Sequence, residues 1–343
     1  MNTTIFMLFA DCIPVLGSKK ALICDLGRGQ ITHIPQSLYR FIEQFEGQDL
    51  TELMTTAVPQ QREIISDYLK HLEDNELIFW CKPAHAALFP KIKPRWQSFS
   101  TISNAIIEFN PAYNYAEMLF ELDHLGCSYY QFRLTDLDEA TLVPFYAFLQ
   151  TLCEQCQNLN MFEVLVPHQC EQADEQFAAY IKRYMQLGGI TFYNHVTDAR
   201  VLQGHVVVQY KTHALNHQHA KSVSSEANFF PNYDFFFESR TRNPYYNGKI
   251  TIDFDGNIKN IIADVKSWGN IHTHSISHVI AKPDFRQLWF STKDKVKGCR
   301  DCEFRYVCFD TRPLVYNAND QMYEPTIACN YDPDTGEWST DSE

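Results

Sequence analysis

Residues 298–310, GCRDCEFRYVCFD, bring Cys299, Cys302 and Cys308 into one short run, and Cys329 follows in PTIACNYDP. The spacing is C-x2-C-x5-C-x20-C. Four thiolates close a coordination shell around an iron–sulfur cluster or a zinc ion. Two cysteines separated by two residues can grip one centre from a tight turn, the third returns on the next turn, and the fourth arrives from a later loop. Structural zinc sites more often pair two C-x2-C knuckles, and only one occurs in this region, so the pattern favours a cluster over zinc. Ordinary buried thiols are the bland alternative, since free cysteine is a common core residue. Three in so short a run makes that the weaker reading.

The remainder of the chain narrows the class. At 343 residues it exceeds one comfortable core, so two or three domains are expected. An apolar content of 45% with 21% charged residues describes a globular protein. A net charge of −13 argues against nucleic-acid binding, which needs a positive field, and against an anionic membrane surface. The start, MNTTIFMLFADCIPVLG, has no basic n-region and is interrupted by Asp11, so it is not read as a signal peptide. No segment approaches the ~20 apolar residues of a spanning helix. Eleven cysteines, an odd number at irregular spacing, suit a reducing compartment, and a cytoplasmic protein is expected.

Residues 1–85 form a unit in which IFMLFADCIPVLG and KALICDLG read as strands joined at Gly17-Ser18. Leu38, Phe41, Ile42 and Phe45 recur at helical spacing before Gly47. Ile65, Tyr68, Leu69 and Leu72 do the same in a second helix, and LIFWC reads as a returning strand, giving a winged-helix-like module. KPAHAALFPKIKPRW, with Pro83, Pro90 and Pro94, reads as a linker. Beyond it, the strand patterns NAIIEFN, YYQFRL, MFEVLVP, ITFYNHV and HVVVQY alternate with the helix patterns AEMLFELDHLG, EATLVPFYAFLQTLCEQC and DEQFAAYIKRYMQLGG. Repeated β-then-α units imply a parallel sheet with crossover helices, about four units in all. A full eight-unit barrel needs ~250 residues, so a partial barrel is expected. KITIDFDGNIKNIIADV reads as a hairpin turning at Asp255-Gly256, and YDFFFES as a strand buried on both faces.

Residues 235–335 resemble the SPASM domain, which carries auxiliary clusters at the C-terminus of many radical-SAM peptide-modifying enzymes. The resemblance is carried by DGNIKN, SWGNIHTHSISHVIAKPDF, KGCRDCEFRYVCFDTRP and CNYDPDTGEW. It is most similar to the maturase of the grasp-with-spasm system, encoded beside an ATP-grasp ligase and a small precursor peptide. It implies a maturation factor for a ribosomally synthesised, post-translationally modified peptide. Its partners would be the precursor and the ligase, which joins side chains as macrocyclic esters or amides. A radical-SAM domain needs C-x3-C-x2-C after its first barrel strand. No such motif occurs here, and NAIIEFN leads into NPAYNYAEM, so no S-adenosylmethionine site is expected.

Two-cluster SPASM domains have further cysteines where Tyr245 and Ile261 stand, and another where Thr311 or Arg312 stands. None of these can replace a thiolate. The resemblance therefore implies one 4Fe-4S cluster at most, held by Cys299, Cys302, Cys308 and Cys329, with zinc as the alternative. By pattern, residues 1–85 also resemble the leader-peptide recognition element, whose three-stranded sheet accepts the leader as an added strand. A packing or oligomerisation module is the alternative. The expected organisation is thus residues 1–85 as a winged-helix-like module, 96–233 as a degenerate radical-SAM-like partial barrel, and 234–343 as a SPASM-like domain. An enzyme with an unrecognised active site in the α/β region, and a zinc-binding scaffold, are the rival readings.

Other constellations have simpler accounts. Cys153 and Cys156 with His168 and Cys170 could form a zinc site, but a helix with half-buried thiols is preferred. His213, His217 and His219 sit in a polar loop, and His272, His274 and His278 follow SWGNI; both groups read as structural or solvated. Asp136 and Asp138 in LTDLDEATL read as a helix start rather than an acid–base pair. No nucleotide-phosphate motif is present, so any ATP is used by a partner.

Overall fold

The computed structural model describes residues 4–93, 95–215 and 225–339. The chain divides into two compact units, and both are assembled from separated stretches of sequence. The first contains Met1–Gln97, Ala220–Tyr245 and Ser291–Glu343; the second contains Ser98–His219 and Tyr246–Phe290.

In the first unit, the opening apolar stretch is two strands, β1 (Ile5–Leu8) and β2 (Cys12–Leu16), parted by a turn in which Cys12 N–H bonds the Phe9 carbonyl. β3 (Ala21–Asp25) and β4 (Gln30–Ile34) complete an antiparallel sheet in the order β2-β3-β4. Pro35 then stops the strand and starts α1 (Gln36–Phe45), since proline suits a helix start, where no backbone donor is missed. The short α2 (Thr51–Thr56) and then α3 (Pro59–Asp74) follow, and β5 (Ile78–Cys81) returns to pair with β1.

Every residue of β3 is buried, which is unusual for an antiparallel sheet with one solvated face. Strand alternation sends Ala21 and Ile23 into a core with Leu38, Phe41 and Ile42 of α1 and Leu72 of α3. It sends Leu22 and Cys24 the other way, into a second core built from Phe229, Phe236, Phe304, Val307 and Tyr331. The cysteine-bearing segment thus covers the sheet face that the helices leave open. YDFFFES, expected as a strand, is the helix Tyr233–Ser239. Asn232 caps it by accepting a 3.0 Å hydrogen bond from Phe235 N–H, and that local bond outweighs the β preference of three phenylalanines.

The second unit is a mixed α/β structure on an eight-stranded, mostly parallel sheet. β6 (Asn104–Glu108), β7 (Tyr129–Arg133), β8 (Met161–Pro167) and β9 (Leu187–Tyr193) lie side by side in sequence order. They are linked through α4 (Ala116–His124), α5 (Glu139–Gln155) and α6 (Glu171–Ile181). Crossovers of one hand that step in one direction put all three helices on the same face. Ile107, Phe132, Phe162, Val164 and Phe192 are the buried residues facing them. Asp138 accepts a 2.8 Å bond from Thr141 N–H and caps α5, while Asp136 accepts from Leu137 N–H and from Gln169, so both carboxylates serve local structure.

β10 (Ala199–Gln203) and β11 (Val206–Tyr210) extend one edge of the sheet. The other edge is completed by β12 (Lys249–Ile252) and β13 (Ile258–Lys259), the hairpin turning at Asp255-Gly256. β12 pairs in parallel with β6. Residues 246–290, expected in a C-terminal domain starting at 234, therefore belong to the α/β unit. Docked beside β6, β12 has Ile250 and Ile252 fully buried.

On the sheet face opposite the helices lie Lys249, Gln131 and Glu163, with Gln131 donating a 2.6 Å bond to Glu163. Desolvation, helped by the Arg133 guanidinium, pushes the Lys249 ammonium down to about 7. A lysine with a folded value below its unfolded one binds fewer protons in the native state, so its contribution to stability rises from pH 7 towards about 10. Wild type should therefore gain on Lys249→Met across that range in urea midpoints. Parallel profiles would show that the amine titrates alike in both states.

Candidate metal centre

The cysteine run is locally dictated. Gly298 takes φ +77°, a left-handed turn that favours glycine, and starts a single helical turn, Cys299–Asp301. Cys302 N–H bonds the Cys299 carbonyl at 3.1 Å, and Cys308 N–H bonds the Phe304 carbonyl at 2.9 Å, so two consecutive turns point three thiols inward. Cys308 also bridges to Phe229 as an isolated β pair. Cys329 sits between the hairpin Leu314–Asn317/Met322–Pro325 and the hairpin Tyr331–Asp332/Glu337–Trp338.

All four sequence-assigned cysteines, Cys299, Cys302, Cys308 and Cys329, line one cavity of about 420 Å³. Its apolar wall contains Phe304, Tyr331 and Trp338, with the Tyr331 ring 4.9 Å from each of the other two, edge-on to Phe304 and tilted against Trp338. Burial raises the Cys299 thiol, raises Cys302 well above the ordinary range, and pushes Cys308 up to about 12. Lys293 opposes the rise at Cys299 and Cys308.

Three residues that sequence reasoning did not place at the site stand beside the thiols. Asp310 accepts from Lys293 Nζ at 2.7 Å and from Arg312 Nε and Nη2 at 2.8 Å each. Arg312 Nη2 also reaches Cys299 Sγ at 3.4 Å, and Nη1 donates to the Ile327 carbonyl at 3.0 Å. The two cations hold the Asp310 carboxyl far below the usual carboxylate range despite its burial. The available signal was the D-x-R triplet following Cys308 with a lysine six residues before Cys299. Arg312, one of the two residues expected where a further cysteine would stand, is thus part of the site rather than a neutral replacement. Glu303, between Cys302 and Phe304, is sealed from solvent; its Oε1 accepts a 2.5 Å bond from the Tyr331 hydroxyl, and its Oε2 has no partner among the described residues.

A tetrahedral zinc with Zn–S near 2.3 Å draws its sulfurs to roughly 3.8 Å apart, whereas a cubane spreads its four thiolates more widely. Among the described residues, the one group whose ligand atoms all lie within 4.8 Å of one another is Asp11, Cys12 and Asp25, not the four cysteines. The four thiols share one partly open cavity, and their chemistry suits either a cluster or a zinc ion.

The other candidates separate. Cys153 and Cys156 end α5, where the Cys156 thiol faces the Leu119 carbonyl; His168 is paired with Asp174 at 2.7 Å, and Cys170 is exposed. His213, His272, His274 and His278 are exposed, and His272 packs edge-on to Tyr113 at 4.3 Å. His217 and His219 lie outside the described residues. Tyr245 packs near Phe309 in the first unit, and Ile261 is buried in the second. Asp11, Cys12 and Asp25 group their ligand atoms within 4.8 Å, but Arg28 already answers Asp25 at 2.5 Å.

No protein-family model matches the chain, and no curated protein matches it. No helix among the described residues is long and apolar enough to cross a membrane.

Proposed function

We propose that the protein is a maturation factor for a ribosomally synthesised peptide, holding one 4Fe-4S cluster on Cys299, Cys302, Cys308 and Cys329. It would bind the precursor and present it to an ATP-grasp ligase that forms the crosslinks. The observation that carries this reading is the convergence of all four spaced cysteines on one cavity. The cluster is a structural centre in this reading, tying the cysteine loops together. The N-terminal module would act as a winged-helix-like leader-binding element. In support, the C-terminal end of β2 is covered: Arg305 donates to the Leu16 carbonyl, and Ser18 N–H, just beyond the strand, bonds the Asp301 carbonyl. β4 is the other edge strand and suits strand addition. The α/β unit is the degenerate, non-catalytic barrel-like part of this reading.

The test has two parts. Anaerobic purification should give about four irons and four sulfides per chain, with Cys302→Ala losing most of both. About one zinc and no sulfide would replace the cluster with a structural zinc site. Co-expression with the ATP-grasp ligase and the short peptide encoded beside its gene should yield peptide lighter by one water per crosslink. Equal crosslinking without this protein would sink the maturation role.

A further inference from the structure

We propose that Lys293, Asp310 and Arg312 form a charge-compensating plate for an anionic four-thiolate centre, in which Arg312 donates directly to the Cys299 sulfur. This rests on the reading that the four cysteines hold metal. All three side chains are nearly sealed, with exposures of 4%, 7% and 4%. Two carry positive charge and one negative, so the group has a net positive charge in the interior. Such an excess is costly unless an opposite charge lies close by. Four thiolates outweigh the charge of zinc, or of an oxidised 4Fe-4S core, by two, and so supply the missing negative charge.

The geometry adds a second element. Asp310 fixes the guanidinium by accepting from Nε and Nη2, and Nη1 is held by the Ile327 carbonyl. The remaining reach of Nη2 is to Cys299 Sγ at 3.4 Å. Ile327 lies two residues before Cys329, so one rigid fork ties the first cysteine turn to the loop bearing the last cysteine. Lysine offers a point charge without that fork. Arg312 is thus a positioning residue: it spaces the two ends of the donor set and stabilises added negative charge on the centre.

The experiment uses the full chain purified anaerobically as wild type, Arg312→Gln, Arg312→Lys and Lys293→Gln. Iron, sulfide and zinc content are measured first, then the midpoint potential by EPR-monitored titration. Arg312→Gln should keep its iron but be harder to reduce. At the wild-type midpoint its reduced-to-oxidised ratio should fall about tenfold, which is ~59 mV for a one-electron couple. Arg312→Lys should recover part of that shift. If Arg312→Gln fails to fold, Lys293→Gln carries the same test, because it removes one positive charge without touching Cys299. Unchanged potentials at full iron loading would overturn the plate and leave the cluster reading standing. If wild type holds zinc alone, the cluster reading fails; the plate then predicts about tenfold faster zinc loss to a chelator in Arg312→Gln, and equal rates would overturn it. Wild type without metal would overturn both.

Discussion

Phe304→Ala is expected to cost about 3–5 kcal/mol in urea unfolding of the full chain, the range for deleting a buried aromatic. Phe304 is 2% exposed and stands where three parts of the chain meet. Its ring lies 4.6 Å from Phe229, 4.9 Å from Tyr331 and 5.7 Å from His33 on β4. Removing it opens a void against the outer face of the N-terminal sheet, and the fixed turns on either side, at Cys302 and Cys308, keep the site from collapsing. Loss of near-UV circular dichroism should accompany the lowered midpoint. A cost under ~1 kcal/mol would mean that the sheet and the cysteine segment do not share a core.

The second large effect is expected from Asp310→Ala in the metal-free chain. It leaves Lys293 and Arg312 buried and facing each other without their carboxylate, and breaking a buried pair from one side costs about 3–5 kcal/mol. Lys293→Met, Asp310→Leu and Arg312→Met together should cost much less, because no orphaned charge remains. The contrast is read from urea midpoints of the single and triple variants. Equal losses would indicate that packing, not charge, governs this region.

Much of this architecture is legible in the residues, and the misses have physical causes. The parallel strands announce themselves as runs such as Met161–Pro167, and Asp255-Gly256 marks its hairpin because the turn needs the left-handed φ of Gly256. The helix Tyr233–Ser239 reads as a strand because three phenylalanines mimic a buried one, while the deciding Asn232 cap lies outside the apolar run. The winged-helix-like pattern of residues 1–85 gave no hint that its sheet is covered on both sides. That cover comes from residues almost three hundred positions away, and local periodicity cannot report it. The four cysteines were legible because their spacing is itself the signal. Lys293, Asp310 and Arg312 were not, because charged residues near a loop are common, and only burial makes these three informative.

The two-sided burial of β3 also sets an order of events at the ribosome. Ser18 bonds Asp334 and Lys20 bonds the Gly336 carbonyl across a separation of 316 residues, and Leu22 waits for Phe304 and Tyr331. At ~5–20 residues per second, that face of the nascent sheet stands bare for roughly 15 s to a minute. The stretch Ser98–His219 emerges whole during that interval and can assemble its parallel strands. The first strands made are therefore among the last completed. A premature stop before Phe304 would release a chain with its middle built and the outer face of its earliest sheet lacking Phe304, Val307 and Tyr331. Such a truncated chain is the form that chaperones and proteases would meet.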